Sequence, residues 1–176
     1  MVRKSKPRKT TLRNLPRSTV KLCPDGEAKY QRVKAFFEKV LRHSKGEHAG
    51  KPFALLPWQQ EVFRNLFGVL NAEGRRQHRV SYIEVPKKNG KSTLLAGLAL
   101  YMLGWDGEPG AEVYGAAADR EQAGIIYREA ASMVRASPSL SKVLEVIDSR
   151  KTILHRGSGS FYRVLSADAF RAEGLV

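Results

Sequence analysis

The chain has 176 residues, 42% of them hydrophobic, and its 31 Lys and Arg outnumber 17 Asp and Glu to give a formal net charge of +14. That length and apolar content suit one folded domain with a buried core and exclude wholesale disorder. No apolar run reaches the ~18 residues of a membrane-spanning helix, and the basic N-terminus carries no apolar leader stretch. Cys23 is the single cysteine and His43, His48, His78 and His155 are scattered, so neither an internal disulfide nor a zinc-ligand spacing exists. A protein kept in a cytoplasm, with no membrane partner, is the expectation.

In chain order, residues 1 to 24 read as a basic tail. Met1 to Lys21 holds eight Lys or Arg and no acid, together with Pro7 and Pro16. Such a segment is expected to be poorly ordered alone. It reads either as a solubilising tail or as an arm that gains free energy by releasing counterions from nucleic acid. From Asp25 the spacing turns helical: Val33, Phe36, Phe37, Val40 and Leu41 form one stripe, which Gly46 to Gly50 breaks. Pro57 suits a first helical turn, and Val62, Phe63, Leu66, Phe67 and Leu70 predict a helix over 57–71.

Val80, Tyr82, Ile83 and Val85 then predict a strand ended by Pro86, and Leu94 to Leu103 a buried helix. A strand is expected over Glu112 to Ala117 and a helix from Asp119 to Arg135, with a break at Ser137-Pro138. Lys151 to His155 and Ser160 to Ser166 read as a hairpin turned at Gly157-Ser158-Gly159. Repeating βα units imply an α/β fold, a mostly parallel sheet flanked by helices with ligands outside the carboxyl ends of its strands.

Between the first predicted strand and its helix the sequence reads Val85-Pro86-Lys87-Lys88-Asn89-Gly90-Lys91-Ser92. This resembles a Walker A phosphate loop. Such a loop needs inward backbone N–H groups, a helix N-terminus facing the phosphates, a Lys on the terminal phosphates and a hydroxyl on Mg²⁺. Gly90, Lys91 and Ser92 supply the last part, whereas Val85 stands where the usual pattern opens with Gly. The flanking strand and helix favour nucleotide binding over a basic strand-to-helix turn capped by Ser92.

Several stretches together resemble the large terminase subunit of tailed bacteriophages, the ATPase motor that packs DNA into procapsids. Pro86-Lys87-Lys88-Asn89-Gly90-Lys91-Ser92 resembles that family's modified Walker A, which dispenses with the first Gly. Leu56-Pro57-Trp58-Gln59 resembles its adenine-side motif, and Val113-Tyr114-Gly115-Ala116-Ala117 with Gln122-Ala123 its next strand and helix. Phe161 to Gly174 resembles the approach to its Walker B strand. The likeness covers roughly 52 to 176 and implies a P-loop NTPase-like fold, incomplete at the C-terminus, over residues 25–176.

By this resemblance the loop from Pro86 to Thr93, with Trp58 and Gln59, would bind ATP and Mg²⁺. Lys91 would neutralise the terminal phosphates, Ser92 would hold Mg²⁺, and Gln59 would contact adenine. Trp58 would pack under the base or pin the helix start. Lys87 stands where relatives carry a catalytic Arg, and a Lys offers a point charge rather than a planar fork. A neighbouring subunit would supply an arginine, for which Arg120, Arg128 and Arg150 stay open.

The family's apolar strand ending in Asp-Glu would follow Gly174, and the chain stops at Val176. Glu84, Glu112, Glu145 and Asp148 sit near strand-like runs without forming that arrangement, and no carboxylate cluster forms a two-metal nuclease. The chain is thus expected to be the N-terminal part of the ATPase domain, lacking Walker B and nuclease and deficient in hydrolysis. The implied partners are double-stranded DNA, the terminase small subunit, the portal protein and further copies on the portal, in a host bacterial cytoplasm. The alternative is a basic nucleic-acid-binding protein with a vestigial phosphate loop. A small-molecule kinase lacks its lid residues here, and a helicase would need a second motor domain.

Overall fold

The computed structural model describes residues 21–117 and 120–165. Most of the basic tail and the stretch after Leu165 therefore lie outside the described residues. Helix α1 spans Pro24–Ala35, and the Sγ of Cys23 caps it, accepting from the Gly26 N–H at 3.4 Å. Pro24 opens the helix with a fixed φ, and Asp25 and Glu27 complement the positive end of its dipole. The helix closes in a π turn, Phe36–Val40, where the Leu41 N–H reaches the Phe36 carbonyl at 3.1 Å. Helix α2, Pro57–Phe63, ends likewise in a π turn, Arg64–Gly68. The apolar stripe predicts where helix lies, and the wider turns bring adjacent Phe36 and Phe37 into the core together.

Helix α3, Lys91–Gly104, is apolar on nearly every side, as a helix must be when others cover it. A Cβ on Gly97 would stand 2.6 Å from a Phe37 ring carbon, so glycine there lets α3 close onto that ring. Phe37 also meets Phe63 at 4.8 Å between centroids, and Tyr101 lies 5.5 Å from Phe36 and 5.3 Å from Phe67. Each such pair adds about 0.5–1.5 kcal/mol beyond area burial.

The sheet has the order β1-β4-β3-β2, with β1 Glu112–Ala116, β2 Leu144–Ile147, β3 Thr152–His155 and β4 Phe161–Leu165. It is mixed: β1 and β4 form a parallel ladder, and the expected hairpin β3–β4, with β2 beside it, supplies antiparallel ladders. Helix α4, Arg120–Ala136, packs on α3, and both helices touch β1 and β4. The α/β architecture flanked by helices is as the alternation implied.

The break at Ser137-Pro138 falls where α4 ends, and Pro138 then opens a short helix α5, Pro138–Val143, that leads directly into β2. One local expectation changes. The expected strand over Val80–Val85 joins no ladder among the described residues, and Val80 and Tyr82 are 88% and 86% exposed. A strand is stabilised laterally, and the outer strands β1 and β2 of the described sheet do not pair with this segment.

Candidate functional site

The turn Lys87–Gly90 leads straight into α3. Gly90 caps that helix at φ 74° and ψ 15°, and the Leu94 N–H donates to its carbonyl at 2.9 Å. Lys88 also has a positive φ, 69°, while the intervening Asn89 does not. That alternation of backbone handedness turns successive N–H groups toward one concave side. Asn89 staples the turn, its Nδ2 donating to the carbonyls of Pro86 at 3.1 Å and Lys87 at 3.4 Å. The first N–H groups of α3 have no partners within the helix and carry its positive dipole end. Lys87, Lys88 and Lys91 are exposed, and Ser92 and Thr93 are half-buried at the first turn.

Gln59 reaches this turn from α2. It is 3% exposed, and its Oε1 accepts the Leu56 N–H at 2.9 Å. Only the oxygen can accept from that donor, so the amide orientation is fixed. The Nε2 then faces the loop, 4.0 Å from where a Cβ on Gly90 would stand. Residues 59 and 90, far apart in the chain, are thus neighbours. Trp58 is half-buried and lines a cavity of about 820 Å³ with Val62, Leu66, Ile83 and the loop residues Pro86 and Asn89. Glu61 and Asn65 join that wall, with Asn65 Nδ2 donating to Glu61 Oε1 at 2.8 Å. The sequence reading missed this pair, although 58, 61, 62, 65 and 66 share one helical face.

The family described as terminase large subunit, ATPase domain, matches residues 57–174. The chain belongs to this terminase ATPase family. Its match begins at the first residue of α2, so both the Trp58-Gln59 pair and the Gly90-Lys91-Ser92 turn lie inside it. The terminase large subunit of Enterobacteria phage HK97 is 28% identical over 146 residues, covering 82% of this chain and 28% of that protein. The crystal structure of the HK97 bacteriophage large terminase superposes with a TM-score of 0.69 at 27% identity, over 80% of this chain and 28% of that one. The chain therefore spans just over a quarter of the length of either relative.

Within this terminase ATPase region, the four acids considered as substitutes for a Walker B carboxylate are engaged elsewhere. Glu84 accepts from Tyr82, Glu112 from Tyr114, Glu145 from Arg156, and Asp148 from Arg135 and Tyr127. Glu145 and Asp148 also lie on or beside β2, the strand farthest from β1. Among the described residues, no His, Cys, Asp and Glu cluster could hold a metal by itself, and no helix is long and apolar enough to cross a membrane. Arg128 folds back over its own helix, 3.1 Å from where a Cβ on Gly124 would stand, with Lys151 beside it. Arg150 is exposed, and the side chain of Arg120 lies outside the described residues. Trp105 is half-buried, with Phe36 4.8 Å away.

Proposed function

We propose that this terminase ATPase region binds ATP with Mg²⁺ at the loop Pro86–Thr93 and serves the motor that translocates viral DNA into procapsids. The observation that carries the reading is the left-handed Gly90 at the start of a long helix, with Gln59 beside it, inside the span that matches the family. The alternating backbone at Lys88, Asn89 and Gly90 fits an anion of phosphate size.

In this reading Lys91 neutralises the terminal phosphates, and the Ser92 hydroxyl holds the Mg²⁺, which would screen phosphate charge. Lys87 adds a point charge at the early side of the loop. Gln59 has its carbonyl committed to Leu56, so its NH₂ is the group offered to an acceptor on adenine, and Trp58 gives the base an apolar wall. The four acids near strand-like runs are engaged with Tyr or Arg partners, and in this reading hydrolysis by this chain is slow. Loss of such a group removes about 10² to 10⁴ in rate. Double-stranded DNA, the small subunit, the portal and further copies of the chain are the proposed partners, in a host bacterial cytoplasm.

The deciding experiment is nucleotide titration of the chain beside Lys91→Ala. Hydrogen bonds to charged groups contribute about 1.5–3 kcal/mol, so affinity should fall roughly 10- to 100-fold. Equal affinity in the two proteins would overturn the assignment. A chain that binds duplex but no nucleotide would return the basic nucleic-acid-binding reading.

A further inference from the structure

A second cavity, of about 840 Å³, adjoins the first and shares Leu66, His78 and Ser81 with it. Its cations come from three separate places: Lys29 and Arg32 from α1, Arg75 and Arg76 from the turn after α2, and Arg79 from the segment before the phosphate loop. The walls are built rather than incidental. Asn71 Oδ1 accepts the N–H groups of Glu73 at 3.1 Å and Arg75 at 2.9 Å, and Lys29 Nζ ties α1 to the turn through the Gly74 carbonyl at 2.8 Å. Arg76 forms the floor, ion-paired to Asp106 at 3.0 Å and lying over the Phe67 ring at 5.3 Å.

Charge accounting separates cations neutralised by a carboxylate from those that are not. Glu73 pairs with Arg75 and Asp106 with Arg76, which leaves Glu108 as the one further carboxylate lining the cavity. Lys29, Arg32 and Arg79 are exposed and in no ion pair with a described residue. The Arg32 guanidinium overhangs the cavity, 4.0 Å from where a Cβ on Gly107 would stand. Lys29 and Arg32, one turn apart on α1, thus share one concave surface with Arg79 from a segment distant in the chain.

We propose that this basic bowl receives the phosphodiester backbone of double-stranded DNA, with Lys29, Arg32 and Arg79 as its phosphate contacts. The choice of duplex DNA over another polyanion rests on the packaging role proposed above. Backbone contacts position a duplex without reading its sequence, and each releases counterions. Leu66, His78 and Ser81 line both this bowl and the cavity at the loop, so DNA contact would bear on the chain leading to the phosphate loop.

The test is a salt series of binding titrations, using the full chain and a labelled short duplex of mixed sequence. The triple variant Lys29→Ala, Arg32→Ala, Arg79→Ala is set beside a charge-matched triple, Arg135→Ala, Lys142→Ala, Arg156→Ala, none of which lines either cavity. The slope of log affinity against log salt should flatten by up to about 2.7 in the first triple, at ~0.9 per contact. The control should flatten markedly less. Differences between variants remove the contribution of the basic tail, which all of them share. Equal slopes in the two triples would overturn the proposal, as would displacement of the duplex by inorganic pyrophosphate at matched ionic strength. Should the triple fail to fold, Arg79→Glu is read the same way, with an expected flattening of about 1. Nucleotide titration of the same samples keeps the two readings apart: the bowl triple retains nucleotide binding, whereas its absence from the unaltered chain counts against the ATPase reading alone.

Discussion

Glu112–Ala116 and Val80–Val85 are similar runs of β-favouring residues, each followed by a helix, yet the first pairs along its whole length with Phe161–Leu165 and the second pairs with no described strand. The difference is not in their own residues. A helix satisfies its backbone internally and needs only a neighbour for its apolar face, whereas a strand needs a second strand at hydrogen-bonding distance before its propensity counts. Helices α1 to α4 therefore assemble a complete aromatic core, while the run that leads into the phosphate loop stands open on its lateral side.

The largest test of that contrast is on the helical side. Phe37 is fully buried among Phe36, Phe53 and Phe63, and Phe37→Ala should lower stability by about 3–5 kcal/mol in denaturant titration. A loss below about 1 kcal/mol would mean that the helical core can close without this ring.

A smaller effect belongs to the paired part of the sheet. Tyr162 on β4 is 1% exposed, and burial pushes its phenol up from 10.0 to about 12. Below pH 10 both folded and unfolded chains hold the phenol neutral, and its contribution is fully present. Between pH 10 and 12 the unfolded chain ionises first, so roughly 2–3 kcal/mol is lost as pH rises through that window. The same hydroxyl is buried without a hydrogen-bond partner among the described residues. Tyr162→Phe should thus be neutral or stabilising at pH 7 and should flatten the fall in stability above pH 10. An unchanged alkaline profile in that variant would place the titrating group elsewhere.

These features differ in how far the sequence revealed them. The positions of α1 and α2 follow from period-3.6 stripes such as Val33, Phe36, Phe37 and Val40, α3 from the apolar run Leu94 to Leu103, β1 from a short β-rich run and the β3–β4 hairpin from two such runs around Gly157-Ser158-Gly159. The π turns do not show, because one residue of slack leaves the stripe intact. Strand β2 has only four residues, and the Ser137-Pro138 break before it gave no sign of the short helix that starts there. At the site, the Gly-Lys-Ser turn is local and legible. The approach of Gln59 to Gly90 depends on how α2 packs beside α3, which spacing along the chain cannot encode. The basic bowl is less legible still, since Arg79 lies far along the chain from Lys29 and Arg32 on α1 and each alone is a surface charge.

The phosphate loop itself joins the two regions, and Gly90→Ala probes the join. Open space surrounds the position, with only Gln59 Nε2 at 4.0 Å, so the cost is the left-handed φ of 74° rather than a clash. An Ala there should cost about 1 kcal/mol of stability. Nucleotide affinity should fall further than that if the left-handed turn presents the N–H groups. Affinity that follows the stability loss alone would separate the turn from ligand binding.

The smallest effect is the sharpest test of the open segment. Val80 is 88% exposed, so Val80→Lys should change stability by less than about 0.5 kcal/mol. Val164→Lys, on β4 between β1 and β3 and packed against the core, should cost several times more. Hydrogen exchange makes the same comparison without mutation: amides of 80–85 should exchange quickly, and those of β4 in its two ladders slowly. Slow exchange over 80–85, together with a loss of more than about 1 kcal/mol in Val80→Lys, would mean that the segment finds a strand partner in solution. A partner of that kind would hold the entry to the phosphate loop as rigidly as α3 holds its exit, and nucleotide affinity and the exchange rate of 80–85 would then change together.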